Sequence, residues 1–142
     1  MRRLLDVNVL IALLDQDHSL HVRAREWFGA NARGGWASCP LTQNGCVRIM
    51  SHSGYPNPLP VAQIAARLRH AVAGPHHEFW PDDVSLLDEG VADASRIHGS
   101  RQVTDLYLLA LAVRHDGTFV TFDDSIAIGA VLGAAKRNLT VL

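Results

Sequence analysis

A chain of 142 residues with 48% apolar side chains has the length and composition of one ordinary globular domain and is too apolar to be disordered. Its 13 Lys+Arg balance 14 Asp+Glu, which excludes a strongly basic nucleic-acid binder, so any such contact must come from a local patch. A disulfide framework is excluded too: Cys39 and Cys46, the only two cysteines, would lie about 10 Å apart along one helix, too far to bridge, and a reducing interior is expected.

Arg2-Arg3 before an apolar run imitates a signal peptide, but Asp6 and Asn8 cut the run and Val9–Leu14 is too short for the apolar core of one. No stretch approaches the roughly 20 apolar residues of a membrane span. The expectation is a cytoplasmic protein with no membrane contact.

In chain order, Leu4-Leu5 begins a buried strand that Asp6 ends, and Val9–Leu14 continues as an apolar helix. His18–Ala32 has helical spacing in Leu20, Ala24, Trp27 and Phe28, and Gly34-Gly35 breaks it. Trp36-Ala37-Ser38 reads as a second strand, and Pro40 opens a helix to about Met50. Gly54–Pro58 is a loop, Pro60–Val72 a helix, and His76–Trp80 a third strand. A helix is predicted from Asp83 or Ser85 to Ile97, and another from Val103 to His115, ended by Gly117. Thr118–Thr121 is a strand, Ser125–Ala135 a helix, and Leu139–Leu142 a last strand. Strands alternating with helices imply a three-layer α/β/α sandwich on a mostly parallel sheet, one domain over residues 1–142. Ligands of such sheets sit at the carboxyl ends of the strands.

Three carboxylates fall at that edge. Asp6 closes the first strand, Asp105 lies in the first turn of a helix, and Asp123 follows the fourth strand. Singly, each is explained as a helix cap or as a charge at a helix's positive end. Together they repel one another unless a cation neutralises them, and oxygen-only ligands suit Mg²⁺ or Mn²⁺.

The segments Asp6-Val7-Asn8-Val9-Leu10, Thr104–Ala110 and Val120-Thr121-Phe122-Asp123, with Pro40–Gly45 and Arg48 between them, resemble the PIN-domain family, and within it the VapC toxins. The resemblance implies an endoribonuclease using Mg²⁺ or Mn²⁺ that inhibits translation and growth, a homodimer, and a cognate VapB-like antitoxin that blocks the acidic site. It carries the metal-ligand roles to Asp6, Asp105 and Asp123. Thr121 would support Asp123 through its hydroxyl, Asn8 would help hold the first turn, and Asp124 is the lesser alternative ligand.

Related VapC sequences carry Glu where this chain reads Thr42-Gln43-Asn44-Gly45, and Gln43 is taken as the equivalent catalytic position. It keeps the shape but loses a charge and a proton acceptor. Either three aspartates suffice, or Gln43 replaces a native glutamate. On this alignment Gln43→Glu should tighten Mn²⁺ binding and speed cleavage, and the non-enzyme alternative is a PIN-fold module that binds antitoxin and RNA but cleaves weakly because of Gln43.

Arg48, Arg67 and Arg69 are candidates for guiding an RNA backbone, against the reading of solvated helix faces. His18 and His21 lack further zinc-ligand spacing, and His76-His77 reads as surface. Trp27, Phe28, Phe79, Trp80 and Phe119 read as core or dimer contacts. A haloacid-dehalogenase-like phosphatase is disfavoured by Asn8, where a second aspartate belongs, and by Lys136, the sole lysine, which follows Asp123-Asp124 instead of preceding it. A two-component receiver domain lacks its early acidic pair and its late lysine.

Overall fold

The computed structural model describes residues 1–142. Five short strands, β1 (Arg3–Leu5), β2 (Trp36–Ser38), β3 (His77–Phe79), β4 (Thr118–Thr121) and β5 (Leu139–Val141), form one sheet in the order β3-β2-β1-β4-β5. All four pairings are parallel, with Leu4 opposite both Ala37 and Phe119. The sheet is therefore wholly parallel, and every strand delivers its carboxyl end to one edge.

Alternation along the strands builds two cores. Leu5, Trp36 and Val120 face a layer of four helices: α1 (Val7–Leu14), α2 (His21–Asn31), α3 (Pro40–Ser51) and α4 (Val61–Val72). Leu4, Ala37 and Phe119 face the opposite layer, built on α5 (Val103–Arg114). The centre of α5 is apolar nearly all round because Leu106 and Leu108–Ala112 are all buried. The three-layer architecture is as the sequence predicts, and no helix is long and apolar enough to cross a membrane.

Two predicted helices of the α5 layer do not form. Residues 83–97 and 125–135 are turns with single 3₁₀ segments at Ala94–Arg96 and Ile128–Ala130, tied by an antiparallel bridge between Ala92 and Val131. Local side chains outcompete the helix. Ser85 Oγ accepts the Leu87 N–H, Asp88 Oδ1 accepts the Gly90 N–H at 2.8 Å, and Asp93 Oδ1 accepts the Ser95 N–H. In the second segment Gly133 takes φ +77°.

The α5 stop also differs in detail. The Asp116 N–H donates to Val113 O and the Gly117 N–H to Ala112 O, a Schellman closure in which Asp116, at φ 51°, is the left-handed residue. Gly117 serves a different need, close approach: a Cβ there would stand 2.7 Å from Arg2 O and 2.6 Å from the Trp80 ring.

Trp80 and Phe119 are core residues, whereas Phe79 is 52% exposed. Trp27 and Phe28 are half-buried against the four-helix side. Cys39 and Cys46 are free and buried, and burial pushes both thiols up, to about 11 and about 12.

Candidate active site

Asp6 leaves the end of β1 and caps α1: its Oδ1 accepts the Val7 N–H at 2.7 Å. The structural and functional explanations therefore coexist in one side chain. Its other oxygen, Oδ2, accepts the Thr121 hydroxyl at 2.6 Å, and Thr121 Oγ1 in turn accepts the Asp123 N–H at 3.1 Å. Thr121 closes β4, the strand beside β1, and is wholly buried. One hydroxyl thus joins the carboxyl ends of two neighbouring strands and fixes the first and last aspartates relative to each other.

Asp123 is held from its other side. No helix follows it, so instead of a helix cap it makes an Asx turn, its Oδ1 accepting the Ser125 N–H at 2.8 Å and the Ser125 hydroxyl at 2.6 Å. Sequence reasoning missed Ser125, although the Asp-x-Ser spacing is the signal of such a turn. Asp105 comes from the first turn of α5.

The three lie within electrostatic reach of one another. Burial, then the charges of Asp6 and Asp123, push the Asp105 carboxyl up to about 6, with a side-chain interaction with Asp123 adding least. Asp123 is held below the usual carboxylate range by Ser125 first and by the proton of Asp105 last. Asp6 is raised by burial, against the hydrogen bonds of Thr121 and Val7, with the Asp123 charge adding. Carboxylates whose charges raise one another's pKa mark a place where positive charge is favoured. No three carboxylate, imidazole or thiol groups close to ligating distance around a single point. The hydrogen bonds from Thr121 and Ser125 aim Asp6 and Asp123 at present, and those oxygens keep further lone pairs.

Asn8, in the first turn of α1, brings its amide nitrogen 3.5 Å from Thr121 Oγ1, while its Oδ1 is buried with no partner. It is an oxygen donor of the carboxamide type beside the aspartates. Asp124 is exposed on the neighbouring turn and shares none of these contacts.

Gln43 does not join the carboxylates. Its Nε2 donates to Ser38 Oγ at 2.9 Å, and Ser38 Oγ lies 2.8 Å from His77 Nε2, so Gln43 ties α3 to β2 and β3. The residue of α3 that faces the first aspartate's turn is Gly45, where a Cβ would lie 2.8 Å from Val7 Cγ2. At about 100° per residue, two positions carry a side chain to nearly the opposite face of a helix. The same network corrects the reading of His77, which is half-buried and held below its ordinary pKa by desolvation; His76 is exposed as expected.

The three arginines part company. Arg67 reaches Leu14 O and lines a groove of α1, α2 and α4, Arg48 faces the loop around Tyr55, and Arg69 shares a cleft with Gln43. His18 and His21 serve local backbone groups, Leu20 N and Ala12 O.

The model of the PIN domain matches residues 3–130. The chain belongs to the PIN-domain family, VapC type. It is 57% identical over 142 residues, the whole of both chains, to a protein named ribonuclease VapC44 of Mycobacterium tuberculosis. It is 42% identical over 141 residues to ribonuclease VapC39 of the same organism, covering 96% of this chain and 99% of that one. Among solved structures, the complex described as VapBC2 from Rickettsia felis bound to a DNA fragment from their promoter shares the fold, with TM-score 0.58 over 88% of this chain and 90% of that one at 14% identity. The aspartates of this PIN domain thus lie on a fold shared well beyond its mycobacterial relatives.

Proposed function

We propose that this PIN domain is a Mg²⁺- or Mn²⁺-dependent endoribonuclease and the toxin of a VapBC-type pair, which cleaves RNA and so inhibits translation and growth. The observation that carries the reading is the placement of Asp6, Asp105 and Asp123 at the carboxyl edge of the sheet, where burial and then the charges of the other two push the Asp105 carboxyl up to about 6. The ribonuclease names of its full-length relatives and the VapBC assembly of its structural neighbour support it.

The donor set fits a hard divalent cation. It is all oxygen, it carries excess negative charge, and the orphaned Asn8 Oδ1 lies beside it. Asp6, Asp105 and Asp123 would hold the ion, which when bound lowers the pKa of a coordinated water and neutralises phosphate charge. Thr121 and Ser125 orient two of the three carboxylates, fixing which oxygens face outward. α3 carries no acidic residue, so on this reading three aspartates make up the set.

The natural partner is a VapB-like antitoxin that covers the acidic edge, and the working form is a homodimer. The test is Asp6→Ala, assayed on total RNA with Mg²⁺ or Mn²⁺ and an EDTA control. The expected result is loss of new RNA ends with circular dichroism and antitoxin co-purification retained. Normal cleavage by this variant would remove the acidic centre from the mechanism.

A further inference from the structure

Beside the acidic edge, α3 and α4 enclose a cleft of about 270 Å³ lined by Gln43, Asn44, Val47, Ala65, Leu68, Arg69 and Val72. Its floor is apolar. Its rim carries two carboxamides and a guanidinium.

The polarity of the rim is fixed from behind. Gln43 Nε2 donates one proton to Ser38 Oγ, and the Ser38 hydroxyl, with a single proton, bonds His77 Nε2. Burial lowers the pKa of the His77 ring, opposed by a backbone hydrogen bond at Val72. The bond to Ser38 turns the Nε2 side of the Gln43 amide toward β2. Its Oε1 accepts no hydrogen bond and is not among the buried orphaned atoms, so it opens to the cleft with the second N–H beside it. Arg69 is exposed, and neither ion pair of the chain involves it.

An adjacent acceptor and donor held in one plane match the paired donor and acceptor on a nucleobase edge, and proteins read unpaired RNA bases by such edges over apolar or planar surfaces. A guanidinium alongside suits the phosphate that accompanies the base. The cleft also lies at the carboxyl edge of the sheet: α3 begins at the end of β2, the strand paired with β1, and its Gln43, bonded to Ser38 at that end, faces the cleft.

We infer that the α3–α4 cleft is a subsite for one unpaired base of the RNA next to the scissile phosphate, read by the Gln43 amide edge, with Arg69 on the adjoining phosphate. The inference rests on the nuclease reading above and assigns Gln43 to substrate selection. Arg67 and Arg48, on other faces, take no part.

The experiment maps RNA ends produced from total RNA with Mn²⁺ by wild type, Gln43→Ala, Arg69→Ala and, as a distant control, Arg33→Ala. An oligonucleotide containing the mapped site then gives KM and kcat. Wild type and Arg33→Ala are expected to share a biased base at one position beside the cut. Gln43→Ala should flatten that bias by about tenfold, the scale of one lost base-edge pair. Arg69→Ala should raise KM about fivefold or more at unchanged base preference, by loss of a phosphate contact. Because Arg69 is exposed, its variant keeps the subsite testable should Gln43→Ala fold poorly. Cleavage by Gln43→Ala and Arg69→Ala with wild-type profile and KM overturns the subsite and leaves the nuclease standing. Absence of metal-dependent cleavage by wild type overturns the nuclease reading, and the subsite with it.

Discussion

The Thr121 hydroxyl lies 2.6 Å from Asp6 Oδ2 although 115 positions separate the two in sequence. The contact exists because β1 and β4 are paired in parallel, Leu5 opposite Val120, so that the residues just past each register partner meet at the same edge. Thr121 is wholly buried and satisfies groups on both strands.

Thr121→Val keeps the shape and removes the hydroxyl. It leaves Asp6 Oδ2 without its donor and the Asp123 N–H without its acceptor. The expected cost is about 1–3 kcal/mol, the penalty for unsatisfied buried polar groups, and it should be read from urea unfolding. Asp6 should become harder to ionise, because the Thr121 hydrogen bond is the larger of the two that hold its pKa down. Stability within a few tenths of a kcal/mol of wild type would show that the hydroxyl does not organise the edge.

Gly117→Ala should destabilise by about 1–3 kcal/mol, the range for overpacking. The added methyl meets the backbone oxygen of Arg2 at 2.7 Å, which cannot swing aside as a side-chain tip could, and the Trp80 ring at 2.6 Å. Helix propensity cannot offset this, since position 117 lies beyond the end of α5. Thermal unfolding checks it, and an unchanged midpoint would mean that β1 and Trp80 yield easily.

The strands and α1 to α5 were legible because their apolar periodicity agrees with their burial, as in Leu4-Leu5 and Phe119-Val120, split between two cores. The predicted helix over 83–97 failed because Ser85, Asp88 and Asp93 bond to backbone two residues on, a local competition that periodicity does not register, and the one over 125–135 is interrupted where Gly133 takes φ +77°. The aspartates were legible because each sits at a strand end or a helix start, positions that topology carries to one edge. Gln43, read from sequence as a catalytic position, is found with its side chain on Ser38, because a resemblance along a segment leaves helical phase open by a residue or two. That margin separates the face holding Gly45, against Val7, from the face holding Gln43, against Ser38.

Gln43→Glu therefore should not tighten Mn²⁺ binding, contrary to the expectation from sequence. A carboxylate cannot donate to Ser38 Oγ, and the single Ser38 proton would be contested by the introduced carboxylate and His77 Nε2. A loss of about 1 kcal/mol in urea unfolding is expected, the size of one hydrogen bond. Calorimetry with Mn²⁺ decides the rest: severalfold tighter binding would place position 43 at the carboxylates.

Asp105→Asn should raise the melting temperature at pH 7.5 in EDTA. The sign follows from proton binding. The folded chain holds the Asp105 proton up to about pH 6, whereas an unfolded chain releases it near the ordinary aspartate value of 3.8. The folded state thus binds more protons between those limits, so stability falls as pH rises from about 4 to about 6 and stays reduced above. Asparagine carries no such charge and escapes the loss. Asp105 is partly exposed and solvent screens its repulsion, so the gain should be modest, about 2–4 °C for roughly 1 kcal/mol in a chain of this length. At pH 4 the difference should nearly vanish. Saturating Mn²⁺ should reverse the order at pH 7.5, because the ion stabilises whichever chain keeps all three carboxylates. A melting temperature for Asp105→Asn that stays at or below wild type in EDTA across this pH range would show that Asp6, Asp105 and Asp123 are not crowded, and with that the electrostatic ground for a cation among them would be gone.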